Sequence, residues 1–132
     1  MVIQIPASPG EVLDKLTILD IKLERIADPA KRENVARERA ALVTAWDAAI
    51  ATRQVDPVAL AQHRSALREV NERLWEVEDR LREHERHADF GAAFVELARA
   101  VYHTNDRRAA IKREVNDLLG SALREEKSYA AY

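Results

Sequence analysis

Three helix-start signals divide the chain, and they constrain its fold more than any other feature of the sequence. Each consists of a capping side chain followed directly by proline: Ser8-Pro9, Asp28-Pro29 and Asp56-Pro57. Ser and Asp side chains accept hydrogen bonds from the free N–H groups of a first helical turn, and proline suits the first helical position because it has no N–H. The signals therefore predict three helix starts, and Glu11 completes a capping box with Ser8 at the first of them.

Turn residues are scarce between these signals. The 132 residues include only 3 Gly and 4 Pro, too few to separate many short strands. Apolar residues recur at helical spacing, and Gly120 is a natural stop after the last periodic segment. The pattern predicts four helices, over about residues 9–27, 29–53, 57–87 and 91–119.

These helices predict an all-α fold, an elongated helical bundle in a single domain spanning residues 1–132. The third and fourth helices would each be roughly 45 Å long. Because only the short HADFG segment joins them, they are expected to form a long antiparallel hairpin. A short C-terminal helix is expected near residues 121–127, with Leu123, Tyr129 and Tyr132 docked on the bundle.

The composition excludes several classes of protein. Hydrophobic residues make up 47% of the chain and charged residues 33%, which indicates a globular protein rather than a disordered one. The net charge of −2 gives no basic surface for nucleic acid, and no run of about 18 apolar residues predicts a membrane span. The N-terminal segment lacks the features of a signal peptide and there are no cysteines, so we expect a cytoplasmic protein.

Polar residues interrupt the apolar faces of three predicted helices. On a helical wheel, the fourth helix places Asn105, Arg108 and Lys112 within its apolar arc. The third helix places Asn71, Glu78 and Glu85 on its leucine face, and the first places Asp20 between Leu16 and Leu23. Because an unpaired buried charge is very costly, we expect Arg108 and Lys112 to meet Asp20, Glu78 and Glu85.

Three interpretations of this inward set are open. It can be a structural layer of ion pairs that fixes helix register, or the long basic stems can extend to the surface. It can also be a binding site for a small anionic ligand, for which the candidate residues are Asp20, Glu78, Glu85, Asn105, Arg108 and Lys112. No catalytic residue, metal site or cofactor is predicted: the carboxylate pairs such as Glu69 with Glu72 lie mostly outside the apolar faces, and no glycine-rich phosphate loop is present.

Four stretches of the chain together resemble an uncharacterised family of small bacterial proteins, a domain of unknown function. They are SPGEVLDKLTILDIKLERI, LWEVED, ARAVYHTNDRRAAIKREVN and EEKSY. The resemblance implies a bacterial source and an all-helical fold, and it carries no activity. The sequence favours a non-enzymatic accessory or protein-interaction protein, which we expect to be a homodimer. The alternative is an enzyme, or a binder of a small anionic ligand, that uses a cleft between the helices lined by the inward polar residues.

Overall fold

The computed structural model describes residues 1–132, and it is all-helical, with no strand. Its four helices are α1 Pro9–Arg25, α2 Pro29–Ala51, α3 Pro57–Arg86 and α4 Ala92–Leu118. Each lies within two residues of the bounds expected from the sequence. The prediction of a four-helix, all-α fold is confirmed.

The three capping signals act as the sequence indicates. The Ser8 hydroxyl accepts from the Glu11 N–H at 3.2 Å, and the Asp28 and Asp56 carboxylates each accept from two N–H groups of the following turn. Proline occupies the first turn in all three helices. These local bonds satisfy donors that a helix cannot pair internally, which explains why the starts are sharp.

Helix α1 is the centre of the packing, since it contacts each of the other three helices, whereas the backbone of α2 approaches only α1. The core cluster joins Leu13 of α1 to leucine, valine and isoleucine side chains of α3 and α4, and Trp46 of α2 packs against its edge. The core thus lies where α1, α3 and α4 meet.

The C-terminal segment differs from its prediction. Residues 119–132 contain no helix, so the expected helix at 121–127 is wrong. Gly120 adopts a left-handed φ of 62°, and the Ser121 N–H returns to the Asn116 carbonyl at 2.8 Å, which terminates α4. The charged run from Arg124 to Lys127 offers no apolar stripe to restart a helix.

The tail is instead held by side chains at two points. Glu125 bonds Lys112, and the Tyr132 hydroxyl donates to Asp106 while its ring lies edge-on to Tyr102. All three expected anchors are nonetheless exposed, at 44% for Leu123, 81% for Tyr129 and 74% for Tyr132. No helix of the chain contains an apolar stretch sufficient to traverse a bilayer.

Candidate functional site

The carboxylate of Asp14 is the centre of the polar interior. Asp14 is fully buried. Arg108 donates two hydrogen bonds to it, from Nε to Oδ1 at 2.9 Å and from Nη2 to Oδ2. The Asn71 amide donates to the same Oδ1 at 2.8 Å. The hydrogen bonds that Arg108 donates to Asp14 raise the pKa of the Arg108 guanidinium, although burial acts to lower it.

Two further contacts extend this centre along α1. The Thr17 hydroxyl donates to the Asp14 carbonyl and accepts from Asn71 at 3.0 Å. At the start of α1, the Gly10 N–H donates to Asn116 Oδ1 of α4 at 2.7 Å. No buried side-chain nitrogen or oxygen lacks a partner, which is what a structural polar layer requires.

Gly10 owes its identity to this close approach. A Cβ added to Gly10 would lie 2.4 Å from the Lys112 carbonyl oxygen and 2.9 Å from Asn116 Oδ1. Any larger residue would therefore force α1 and α4 apart at the point where they share a hydrogen bond.

Lys112 of α4 pairs with one glutamate of α1 and one of the C-terminal tail. Its Nζ lies 2.6 Å from Glu11 Oε2 and 3.2 Å from Glu125 Oε2. Burial is the largest single effect and acts to lower the pKa of Lys112, but the hydrogen bonds and charges of Glu11 and Glu125 together outweigh it, so the pKa is raised. The capping box is thus half formed, because the Glu11 carboxylate binds Lys112 rather than returning to the Ser8 backbone.

Asp20 does not meet Arg108 or Lys112, which corrects the expected pairing. It binds Arg39 of α2 at 2.6 Å and Arg64 of α3 at 3.1 Å. Burial acts to raise the pKa of Asp20, but the hydrogen bonds from both arginines lower it overall. Asp20 therefore links three helices in a second, outer ion cluster.

The two α3 glutamates predicted to face inward, Glu78 and Glu85, also fail to meet Arg108 and Lys112 of α4. Glu78 pairs with Arg82 at 2.5 Å, one turn along its own helix, and Glu85 is exposed. A helical wheel gives the direction of a side chain around its own axis and not the height at which another helix crosses. Acids late in α3 therefore share a face with Asn71 yet lie beyond the Asp14 centre.

Sequence reasoning overlooked Asp14, the residue that Arg108 binds. A signal was present: Asp14, Thr17 and Ile21 are spaced by three and four residues and share one face of α1, and all three are buried. Asn71 was placed inward correctly. The role of Asn116 carried no sequence signal, because its partner is a backbone N–H 106 positions away.

An open groove lies beside the Asp14 centre, between α1, α3 and α4. Its volume is about 470 Å³, and its walls include Lys22, Trp75, Glu78, Asn105 and Arg108. Three of the six predicted site residues are therefore brought together here, Glu78, Asn105 and Arg108, whereas Asp20, Glu85 and Lys112 lie elsewhere. No group of three or more His, Cys, Asp or Glu side chains is placed to hold a metal ion.

The chain matches no protein-family model, and comparisons with curated proteins and with solved structures likewise find no significant similarity. The functional argument therefore depends on the geometry of the chain itself.

Proposed function

We propose that this protein is a non-enzymatic helical accessory protein that acts by binding other protein chains, and that it forms a homodimer. The observation that carries the proposal is its surface area. The chain exposes 9149 Å², whereas a compact monomer of this mass exposes about 7,000 Å². The excess of roughly 2,000 Å² is ample for a specific interface, which takes about 800 Å² from each partner.

The Asp14 centre is closed to solvent, and this supports a protein that binds partners through its surface over one that performs catalysis at Asp14. Its carboxylate is shielded from solvent and already accepts from Arg108 and Asn71. A reactant would have to break these bonds to reach it. The centre therefore suits the role of fixing helix register, and function is better sought on the surface.

For the bundle itself, we propose that α3 and α4 form an antiparallel hairpin in an elongated molecule. His63 near the start of α3 lies 3.4 Å from Glu114 near the end of α4. His84 near the end of α3 lies 6.2 Å, between ring centroids, from Phe94 near the start of α4. An elongated hairpin of this kind presents long outer faces to a partner.

The outer face of α4 is the dimer surface that we propose. Val95 and Tyr102 are seven residues apart, so they share one face, and they are 52% and 43% exposed. The proposed occupant is a second copy of this chain, because the excess area is larger than the share that each copy contributes to a specific interface, and a net charge of −2 gives little repulsion between copies.

Light scattering tests this proposal. At high micromolar concentration we expect twice the chain mass of 15.0 kDa. Val95→Glu should give monomers, since it places a charge in the apolar contact. Val58→Glu is the matched control, because Val58 is 63% exposed at the start of α3 and its variant should stay dimeric. A monomeric wild type would refute the dimer, and a dimeric Val95→Glu variant would refute this surface.

Two statements stay predictions from the sequence. The first is a bacterial cytoplasmic location, and the second is membership of the uncharacterised family that the four motifs resemble.

A further inference from the structure

The groove beside Arg108 has the properties of a small-molecule site. Its volume of about 470 Å³ lies within the range of ligand pockets. Apolar side chains of α1 and α3 form one part of its wall, and they are Ile18, Ile21, Leu74 and Trp75. An apolar body of moderate size could lie against this wall.

Arg108 and Asn71, the two lining residues that bind the Asp14 carboxylate, each keep one polar atom without a partner in the protein. Arg108 uses Nε and Nη2 for Asp14, which leaves Nη1 as a free donor. Asn71 uses Nδ2 for Asp14 and Thr17, which leaves Oδ1 as a free acceptor. Since no buried side-chain polar atom is unpaired, both free atoms reach solvent, and both residues line the groove.

The orientation and spacing of these atoms follow from Asp14. A carboxylate only accepts, so the Asn71 amide must turn its NH₂ toward Asp14 and its oxygen away. Arg108 Nε and Asn71 Nδ2 bind the same oxygen of Asp14, at 2.9 and 2.8 Å. The free donor and the free acceptor are therefore each two bonds from a nitrogen that binds this oxygen, on side chains that Asp14 holds in place.

Lys22 adds the charge at the rim. The neighbouring α1 residues Asp20, Glu24 and Arg25 all have salt-bridge partners on α3, whereas Lys22 has none. The charge of Arg108 is balanced by Asp14, and that of Arg82 by Glu78. Among the charged residues of the groove only Lys22 and Asp79 have no ion-pair partner, so Lys22 is the cation left to bind a carboxylate, and Asp79 is an unpaired carboxylate in the same lining.

We propose that this groove binds a small α-amino or α-hydroxy acid with an apolar side chain. Its carboxylate would accept from Arg108 Nη1 and Lys22, and the adjacent amino or hydroxyl group would donate to Asn71 Oδ1. The apolar side chain would lie against Leu74 and Trp75. This proposal is independent of the dimer, because Val95 and Tyr102 are not part of the groove.

Titration followed by ¹H–¹⁵N NMR tests the site with three probes: L-phenylalanine, L-phenyllactate, and 3-phenylpropanoate, which lacks the α-donor. We expect saturable binding of one or both of the first two, with Kd on the order of 1 mM for so open a groove. The Trp75 indole N–H should shift, and that of Trp46 should not. 3-Phenylpropanoate should bind about five- to tenfold more weakly, because it leaves Asn71 Oδ1 unpaired.

Lys22→Gln should weaken binding of the better probe about five- to tenfold without changing the helical circular dichroism. The matched control is Lys31→Gln on exposed α2, which should leave Kd within about twofold. The proposal is overturned if no probe saturates below ~20 mM, if the Trp46 signal shifts instead, or if the two lysine variants bind alike. Equal binding of 3-phenylpropanoate would overturn the assignment of Asn71 as the acceptor.

Discussion

The two halves of α1 carry similar carboxylates in different surroundings. Asp14, in the first half, is fully buried and accepts from Arg108 and Asn71. Asp20, in the second half, binds two arginines, but its own side chain is 18% exposed and those of Arg39 and Arg64 are 35% and 42% exposed. Because water is excluded from Asp14 and screens the pairs of Asp20, we expect the loss of a partner to cost more at Asp14 than at Asp20.

Arg108→Ala should give the largest loss of stability among the variants of the two α1 carboxylate sites. It leaves the Asp14 charge buried without its cation, and we expect a loss of about 3 to 5 kcal/mol in the free energy of unfolding. Arg82→Ala is the control, because Arg82 forms an exposed ion pair with Glu78, and it should cost less than about 1 kcal/mol. Urea denaturation measures both.

The double variant Asp14→Asn/Arg108→Ala tests whether the unpaired Asp14 charge causes this loss of stability. The double variant has no orphaned charge, so it should be more stable than Arg108→Ala alone. A loss below about 1 kcal/mol for the single variant would show that Asp14 is hydrated after all.

Gly10→Ala tests the close approach of α1 and α4 in the same enclosed half. The new Cβ would contact the Lys112 carbonyl at 2.4 Å, and that atom belongs to the backbone and cannot rotate away. We expect a loss of about 1 to 3 kcal/mol, measured as a lower urea midpoint. Gly91→Ala provides the control, because the nearest atom to its Cβ would be 3.5 Å away; equal losses in the two variants would contradict a steric cause.

Asp20→Asn probes the open half, where a smaller effect is expected. Since solvent screens the two arginines, we expect a loss of about 1 kcal/mol near neutral pH, decreasing further in about 1 M salt. A carboxyl with a lowered pKa stabilises the fold while it is ionised. The contribution should therefore be complete above the ordinary pKa of 3.8 and disappear as the pH falls below it. Urea unfolding of both proteins across this acid range measures the difference; a difference that persists at the acid end would contradict the assignment.

The polar interior shows how far sequence reasoning reaches into the candidate site. That Arg108 must meet an acid followed from the cost of burying a lone guanidinium, and it does. Which acid it meets depends on where α1 crosses α4, and the spacing of Asp14 with Thr17 and Ile21 indicates a shared face of α1 but not this crossing point. The sequence also does not predict the groove. Arg108 Nη1 and Asn71 Oδ1 are available there only because the other polar atoms of these side chains bind Asp14 and Thr17.

The four helices of this protein follow from local signals in its sequence. The capping residues and prolines at Ser8, Asp28 and Asp56 act within one turn, as does the stop at Gly120, so local chemistry was sufficient to predict their bounds. Two contacts depend on the tertiary structure: Asn116 pairs with the Gly10 N–H, and Arg108 binds Asp14. Each of these contacts joins groups far apart in the chain, and their energies depend on burial and on helix crossing, which no short stretch of sequence encodes.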